Sequence, residues 1–174
     1  MNDQELWEYI RRGDAVAFDR FYRENAPRVQ AFLRQFLVSR QAAEDVMQEI
    51  FAGIWQRPNG FMAERGTLRT YLFGIARKRA AEWWRKEGQP SLTPVEDSCE
   101  ASTENASLFH DALSRLRPEQ RMLLWLREVE GQSYSELAEI LNVPVGTVRS
   151  RLFAAREQLR RVWLGPKSSR QEEP

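Results

Sequence analysis

Apolar residues recur every three or four positions along most of this chain, and no segment alternates strictly between apolar and polar. In "DAVAFDRFYRENAPRVQAFLRQFL", Ala17, Phe18, Phe21, Tyr22, Val29, Phe32, Leu33 and Phe36 follow that spacing, which lines one face of a helix. Pro27 lacks the N–H that a helix interior needs, so two helices meeting near it are expected. "AAEDVMQEIFAGIW" repeats the pattern, with Val46, Met47, Ile50, Phe51 and Ile54 as the buried side. After a loop over "RPNGF…RGT", "TLRTYLFGIARKRAAEWWRK" reads as a further helix. Leu68, Leu72, Ile75, Ala76 and Trp83 share one of its faces, and Arg77, Lys78 and Arg85 lie opposite. The N-terminal "MNDQELWEYI" is also helical in pattern.

The periodicity stops at "EGQPSLTPVEDSCEASTENAS", residues 87–107, which holds two prolines, four serines and no basic residue. Such a composition cannot bury enough surface to order itself. The expected fold is therefore all-α, with two helical domains joined by a flexible acidic linker. The expected boundaries are 1–87 for the first domain, 88–108 for the linker, 109–165 for the second domain and 166–174 for a tail.

In the second domain, "FHDALSRL" runs to Pro118, "PEQRMLLWLREVEG" ends at Gly131, and "SYSELAEIL" follows. Ser133 and Glu136 have the spacing of a capping box, in which each side chain satisfies an orphan backbone donor. Asn142 tolerates a left-handed turn, and Pro144 suits the first position of the next helix. Ala138 is small where two helices would cross. This is the layout of a helix-turn-helix.

On the last helix, Val148, Leu152, Ala155 and Leu159 share the core face. Ser150, Phe153 and Glu157 point away from it, Arg149, Arg156 and Arg160 lie along one shoulder, and Arg151 lies on the other. A solvated face accounts for the arginines as well as DNA does. It does not account for Phe153, because a large ring opposite the core needs a surface to meet. A thymine methyl in a major groove would serve.

Charge and composition narrow the chemistry. The net charge of +1 comes from 26 basic and 25 acidic residues, and local basic patches, not totals, contact phosphate. Cys99 and His110 are the sole residues of their types, which excludes an intrachain disulfide and the usual Cys/His zinc site. No cofactor is implied. The N-terminus does not read as a signal peptide and no apolar run reaches membrane-span length, so a cytoplasmic chain without membrane insertion is expected.

Two stripes in the first domain carry candidate contacts. Asp45, Gln48 and Glu49 stand at i, i+3 and i+4, and on an isolated helix a solvated face would explain them. From Arg69 to Lys86 there are six basic residues and one acid, interleaved with Tyr71, Phe73, Trp83 and Trp84. Aromatic faces in a cationic groove suit unpaired bases, although the two tryptophans also fit as core plugs.

"SYSELAEILNVPVGTVRSRLFAARE" resembles the promoter-reading region 4 of bacterial sigma factors of the sigma-70 family, extracytoplasmic-function (ECF) group. "GDAVAFDRFYRENAPRVQAFLRQFL…AAEDVMQEIFAGIW…GTLRTYLFGIARKRAAEWWRK" resembles their region 2. Together the two blocks cover roughly residues 11–87 and 109–163. The resemblance implies a factor that binds core RNA polymerase and directs initiation without being an enzyme. It implies −35 contacts by Arg149, Ser150, Arg151, Phe153, Arg156 and Arg160. It implies −10 recognition and melting by Arg65, Arg77, Lys78, Trp84 and Arg85, with the loop around 59–67 helping to capture a flipped base. Lys78 stands where many members carry Asn, and its charge suits phosphate. Asp45, Gln48 and Glu49 would meet the β′ clamp coiled coil, and the β flap is a second polymerase contact. Promoter DNA and an anti-sigma factor complete the implied partners of a chain that is monomeric when free. The acidic linker, with Cys99, would thread toward the RNA exit path.

Two rival readings differ in what they leave over. A free-standing helix-turn-helix regulator explains residues 109–163 but leaves the basic–aromatic helix idle, and it would dimerise on a palindrome. An enzyme acting on nucleic acid needs a nucleophile and base or a ligand cluster, and the scattered carboxylates have no such spacing.

Overall fold

The computed structural model describes residues 1–37, 39–88 and 112–164. Seven α-helices lie wholly among them: α1 (Asp3–Arg11), α2 (Ala15–Arg34), α3 (Arg40–Gln56), α4 (Leu68–Glu87), α5 (Pro118–Leu124), α6 (Tyr134–Leu141) and α7 (Val145–Leu164), and residues 112–114 are helical as well. A single 3-10 turn, Ala63–Arg65, precedes α4, and α5 runs on into a π turn at Trp125–Val129. The described residues contain no strand. Residues 89–108 of the expected linker, with Cys99, and His110 and the tail lie outside the described residues.

Short polar side chains start the helices. Asn2 and Glu5 form a capping box on α1, while Asp14, Ser39 and Thr67 accept from the first-turn N–H groups of α2, α3 and α4. Each satisfies a donor that the helix itself cannot. Asp3 adds a long-range cap, since its Oδ2 accepts from the Leu68 N–H at 2.7 Å and ties α1 to the start of α4.

The expected break at Pro27 is corrected, because α2 is one helix running through it. Pro27 lies on the exposed side, and Ala26 and Val29 stay buried around it. Core packing on both flanks outweighs the one missing hydrogen bond. The Asn25 side-chain amide donates to the Phe21 carbonyl at 2.8 Å, adding a donor to the turn that the proline loosens.

Helix α2 packs on α3, α1 and α4, with Phe21, Phe32, Leu33 and Phe36 fully buried among them. Val46, Met47, Ile50, Phe51 and Ile54 form the inner face of α3 as the pattern indicates. Helix α4 is the hinge of the architecture. One side packs on α2 and α3 and another on α6, while α7 packs on both α5 and α6. Apolar residues of both helical domains form one continuous core.

Candidate nucleic-acid interface

The helix-turn-helix forms as its residue types dictate. Ser133 and Glu136 make the capping box of α6, with Ser133 N–H donating to Glu136 Oε2 at 2.8 Å and Glu136 N–H to Ser133 Oγ at 3.2 Å. Asn142 ends α6 at φ 52°, in the left-handed region. Pro144 takes the N-cap and not the first helical position, its carbonyl accepting from Thr147 and Val148.

Val148, Leu152 and Ala155 are buried on α7, and Leu159 is half-buried. Arg149, Ser150, Arg151, Phe153, Arg156 and Arg160 are all exposed, and Phe153 shows 68% of its surface. A ring this open contributes little to the core, so it presents apolar area directly to solvent.

Neighbours hold several of these arginines. Two guanidiniums lie over the Tyr134 ring, Arg127 at 5.1 Å and Arg149 at 6.0 Å from its centroid. Arg156 Nη2 pairs with Glu128 at 2.7 Å. The hydrogen bond to Glu128, then one to Tyr134, raises the Arg156 pKa above its ordinary value. Arg160 pairs with Glu157 at 3.2 Å. Sequence reading missed Tyr134, since a tyrosine at a helix start carries no signal of what stacks on it.

Helix α4 differs from its expected form. Its buried set is Leu68, Thr70, Leu72, Phe73, Ala76, Ala80 and Trp84, a wide arc that follows from packing on two sides. Trp84, expected to face an opened strand, is in the core, and its Nε1 donates to the Phe36 carbonyl at 2.7 Å. Phe73 is likewise buried and unavailable for stacking. Trp83 is only half-buried, the reverse of the expected order. Lys78, Arg85 and Arg65 are exposed, while Arg77 is half-buried. Burial lowers the Arg77 pKa, and the nearby positive charge of Arg151 adds to the effect.

The loop before α4 is pinned by aromatic rings. Trp7 meets Phe61 and Tyr71 edge-on, each at 5.5 Å between centroids. Gly60 lies so close under the Tyr71 ring that a Cβ there would collide with its hydroxyl. This fixes the path of residues 59–67 and presents Arg65 at the rim.

Asp45, Gln48 and Glu49 form one exposed stripe on α3, away from the α4 face. Gln41 Nε2 donates to Asp45 at 2.8 Å.

Contacts between the two sets of helices were not legible locally. Arg77 Nε donates to the Ile140 carbonyl at 3.0 Å, and Arg65 Nε meets Glu139 at 3.0 Å. Thr70 Oγ1 reaches Gln132 Oε1 at 3.3 Å and Glu136 Oε1 at 3.1 Å. Arg28 Nη1 lies 3.4 Å from the buried Glu130 carboxylate. Among the described residues no group of His, Cys, Asp and Glu could hold a metal ion, and no helix is long and apolar enough to cross a membrane.

Residues 21–89 match the family described as Sigma-70 region 2, and residues 106–159 match Sigma-70, region 4. The chain is 31% identical to the RNA polymerase sigma-H factor of Pseudomonas aeruginosa, covering 90% of this chain and 91% of that one. It is 32% identical to the ECF RNA polymerase sigma factor RpoE of Cereibacter sphaeroides, covering 91% and 96%. The fold is similar to that of the sigma factor RpoE solved in complex with the anti-sigma factor NepR from Bartonella quintana. That similarity has a TM-score of 0.70 at 24% identity, over 83% of this chain and 95% of that one.

Proposed function

We propose that this chain, which belongs to the sigma-70 family of RNA polymerase sigma factors and to its extracytoplasmic-function group, binds core polymerase and directs it to promoters. Helix α7 reads the −35 duplex, and α4 with its preceding loop opens the −10 element. The observation that carries the reading is Phe153, exposed at 68% opposite the buried Val148, Leu152 and Ala155. An apolar ring ringed by arginines is unfavourable in water and suits a base edge within a phosphate frame.

The domain boundaries proposed are 1–87, a linker over 88–108, 109–165 and a tail over 166–174. Arg149, Ser150 and Phe153 face bases, while Arg151, Arg156 and Arg160 meet phosphate. Lys78, Arg85, Arg65 and Arg77 hold the opened strand. Asp45, Gln48 and Glu49 meet basic side chains of the β′ clamp coiled coil, and the second domain meets the β flap. The polymerase forms the bonds, and the chain acts as a cytoplasmic specificity factor, monomeric when free. The NepR complex of the relative from Bartonella quintana supports an anti-sigma factor as a further partner. Run-off transcription with purified core polymerase tests this reading.

A further inference from the structure

The exposed stripe of Asp45, Gln48 and Glu49 continues along α3 as Ala52, Gly53 and Gln56, which are exposed as well. Trp55 stands beside it and is 39% exposed. It lies about two helical turns beyond Gln48, so the two share one edge of α3. That edge borders α2. The Trp55 ring rests on Phe18 at 4.9 Å between centroids, and one turn along Phe51 meets Tyr22 at 4.9 Å. Phe18 and Tyr22 are only half-buried.

A single exposed apolar ring is ordinary on a protein surface. Here the rings fix one another, which lowers the entropy cost of ordering them in a contact, and polar pairs flank them. Arg23 pairs with Asp19 at 3.0 Å on α2. On α3, Glu44 accepts from Gln30 at 3.2 Å and pairs with Arg40 at 3.0 Å. An aromatic centre with a polar rim is the anatomy of a binding hot spot. Gly53 adds a separate observation. Glycine is unfavourable inside a helix, and no close neighbour calls for it, since a Cβ there would meet nothing within 4 Å. It lies one turn beyond Glu49, and with Ala52 it keeps this end of the stripe low enough for another helix to approach closely.

We infer that Trp55, seated on Phe18, is the apolar anchor of the polymerase contact. It takes an apolar side chain of the β′ clamp coiled coil, about two turns along that helix from the basic residues facing Asp45 and Glu49. The inference rests on the reading of α3 as the polymerase-binding helix and adds what its carboxylates cannot supply. Exposed charges steer the encounter and are screened by salt. A desolvated aromatic contact instead slows dissociation and does so at any salt concentration. Salt therefore separates the two parts of the contact.

The test titrates full-length chains into labelled core polymerase at several salt concentrations, with melting temperatures measured alongside. The set is the parent, Trp55→Ala, Trp55→Phe and Gly53→Leu. Val16→Ala is the control, an exposed apolar residue on the opposite side of α2 from Phe18. Trp55→Ala is expected to bind about tenfold more weakly with an unchanged salt slope, and Trp55→Phe to recover most of the loss. Gly53→Leu should also bind more weakly while melting no lower than the parent, so it stays informative if Trp55→Ala is unstable. Val16→Ala should match the parent. Equal affinity across the set, or losses that follow melting temperature, overturn the inference and leave the stripe's role intact. A dimer of the parent in light scattering that Trp55→Ala dissolves also overturns it, because a second copy would then occupy the ring. A parent that does not bind core polymerase overturns the reading of α3, and the inference with it.

Discussion

The indole Nε1 of Trp84 donates to the carbonyl oxygen of Phe36 at 2.7 Å, joining the last turns of α4 to the end of α2. The two rings meet edge-on at 6.3 Å. Trp84 is therefore a rivet between helices, and it fixes the end of α4 from which Lys78 and Arg85 project.

Separating rivet from contact is direct. Trp84→Ala is expected to lower stability by about 3–5 kcal/mol, the usual cost of truncating a buried aromatic. Lys78→Ala with Arg85→Ala should leave the melting temperature near that of the parent, since both are exposed and exposed substitutions cost little. With polymerase and promoter, that double variant should form closed complexes but show fewer permanganate-reactive thymines. Thymine reactivity equal to the parent's would return both residues to a solvated face.

On α3, Asp45→Arg with Glu49→Arg should abolish capture by core polymerase. The stripe is exposed, so stability should change by only about 0.5 kcal/mol, while like charges facing a basic partner repel. Native helicity with undiminished capture in a pull-down would remove the stripe from the polymerase contact.

Three substitutions on α7 should behave differently. Phe153→Ala should leave stability within about 0.5 kcal/mol, because the ring is outside the core. Arg149→Ala should relax sequence preference by about 1–3 kcal/mol at one base pair. Arg160→Ala should weaken all duplexes alike and flatten the salt dependence by about one counterion. Duplex titrations at several salt concentrations distinguish these outcomes. A fall of several degrees in the melting temperature of Phe153→Ala would place the ring in packing.

Much of this surface was legible because α7 is buried on one side only, so its 3.6-residue period separates Val148, Leu152 and Ala155 cleanly from Phe153. The capping box and Asn142 were legible for a similar reason, since their geometry is local. Helix α4 was misread because it packs on two sides, which spreads its buried residues from Leu68 round to Thr70 and blurs the period. Pro27 misled because its backbone cost is local while the packing that overrides it is not. The pairing of Arg77 with Ile140 joins residues 63 positions apart, and nothing near either one announces it.

The glutamates between the two sets of helices carry opposite pH signatures. Burial raises the Glu130 pKa above 4.5, with Arg28 and Arg69 offsetting part of the shift. A carboxyl with a raised folded pKa contributes stability that is full below its unfolded pKa and lost as pH rises through the folded one. For Glu136, burial also raises the pKa but is outweighed by hydrogen bonds from Ser133 and Thr70 and by Arg69. The net shift is downward, and its stability is lost as pH falls below 4.5. Glu130→Gln should therefore melt higher than the parent near about pH 8 and lose the decline above 4.5. A lower melting temperature there would mean that the Arg28 pairing outweighs burial.

Run-off transcription with purified core polymerase and a library of promoter fragments tests the central claim most directly. The expected result is a set of transcripts that appear only when this chain is added and that share −35 and −10 elements. They should vanish with Asp45→Arg and Glu49→Arg. Transcript yields no higher than those of core polymerase alone, with the chain instead binding a palindromic duplex as a dimer, would contradict it.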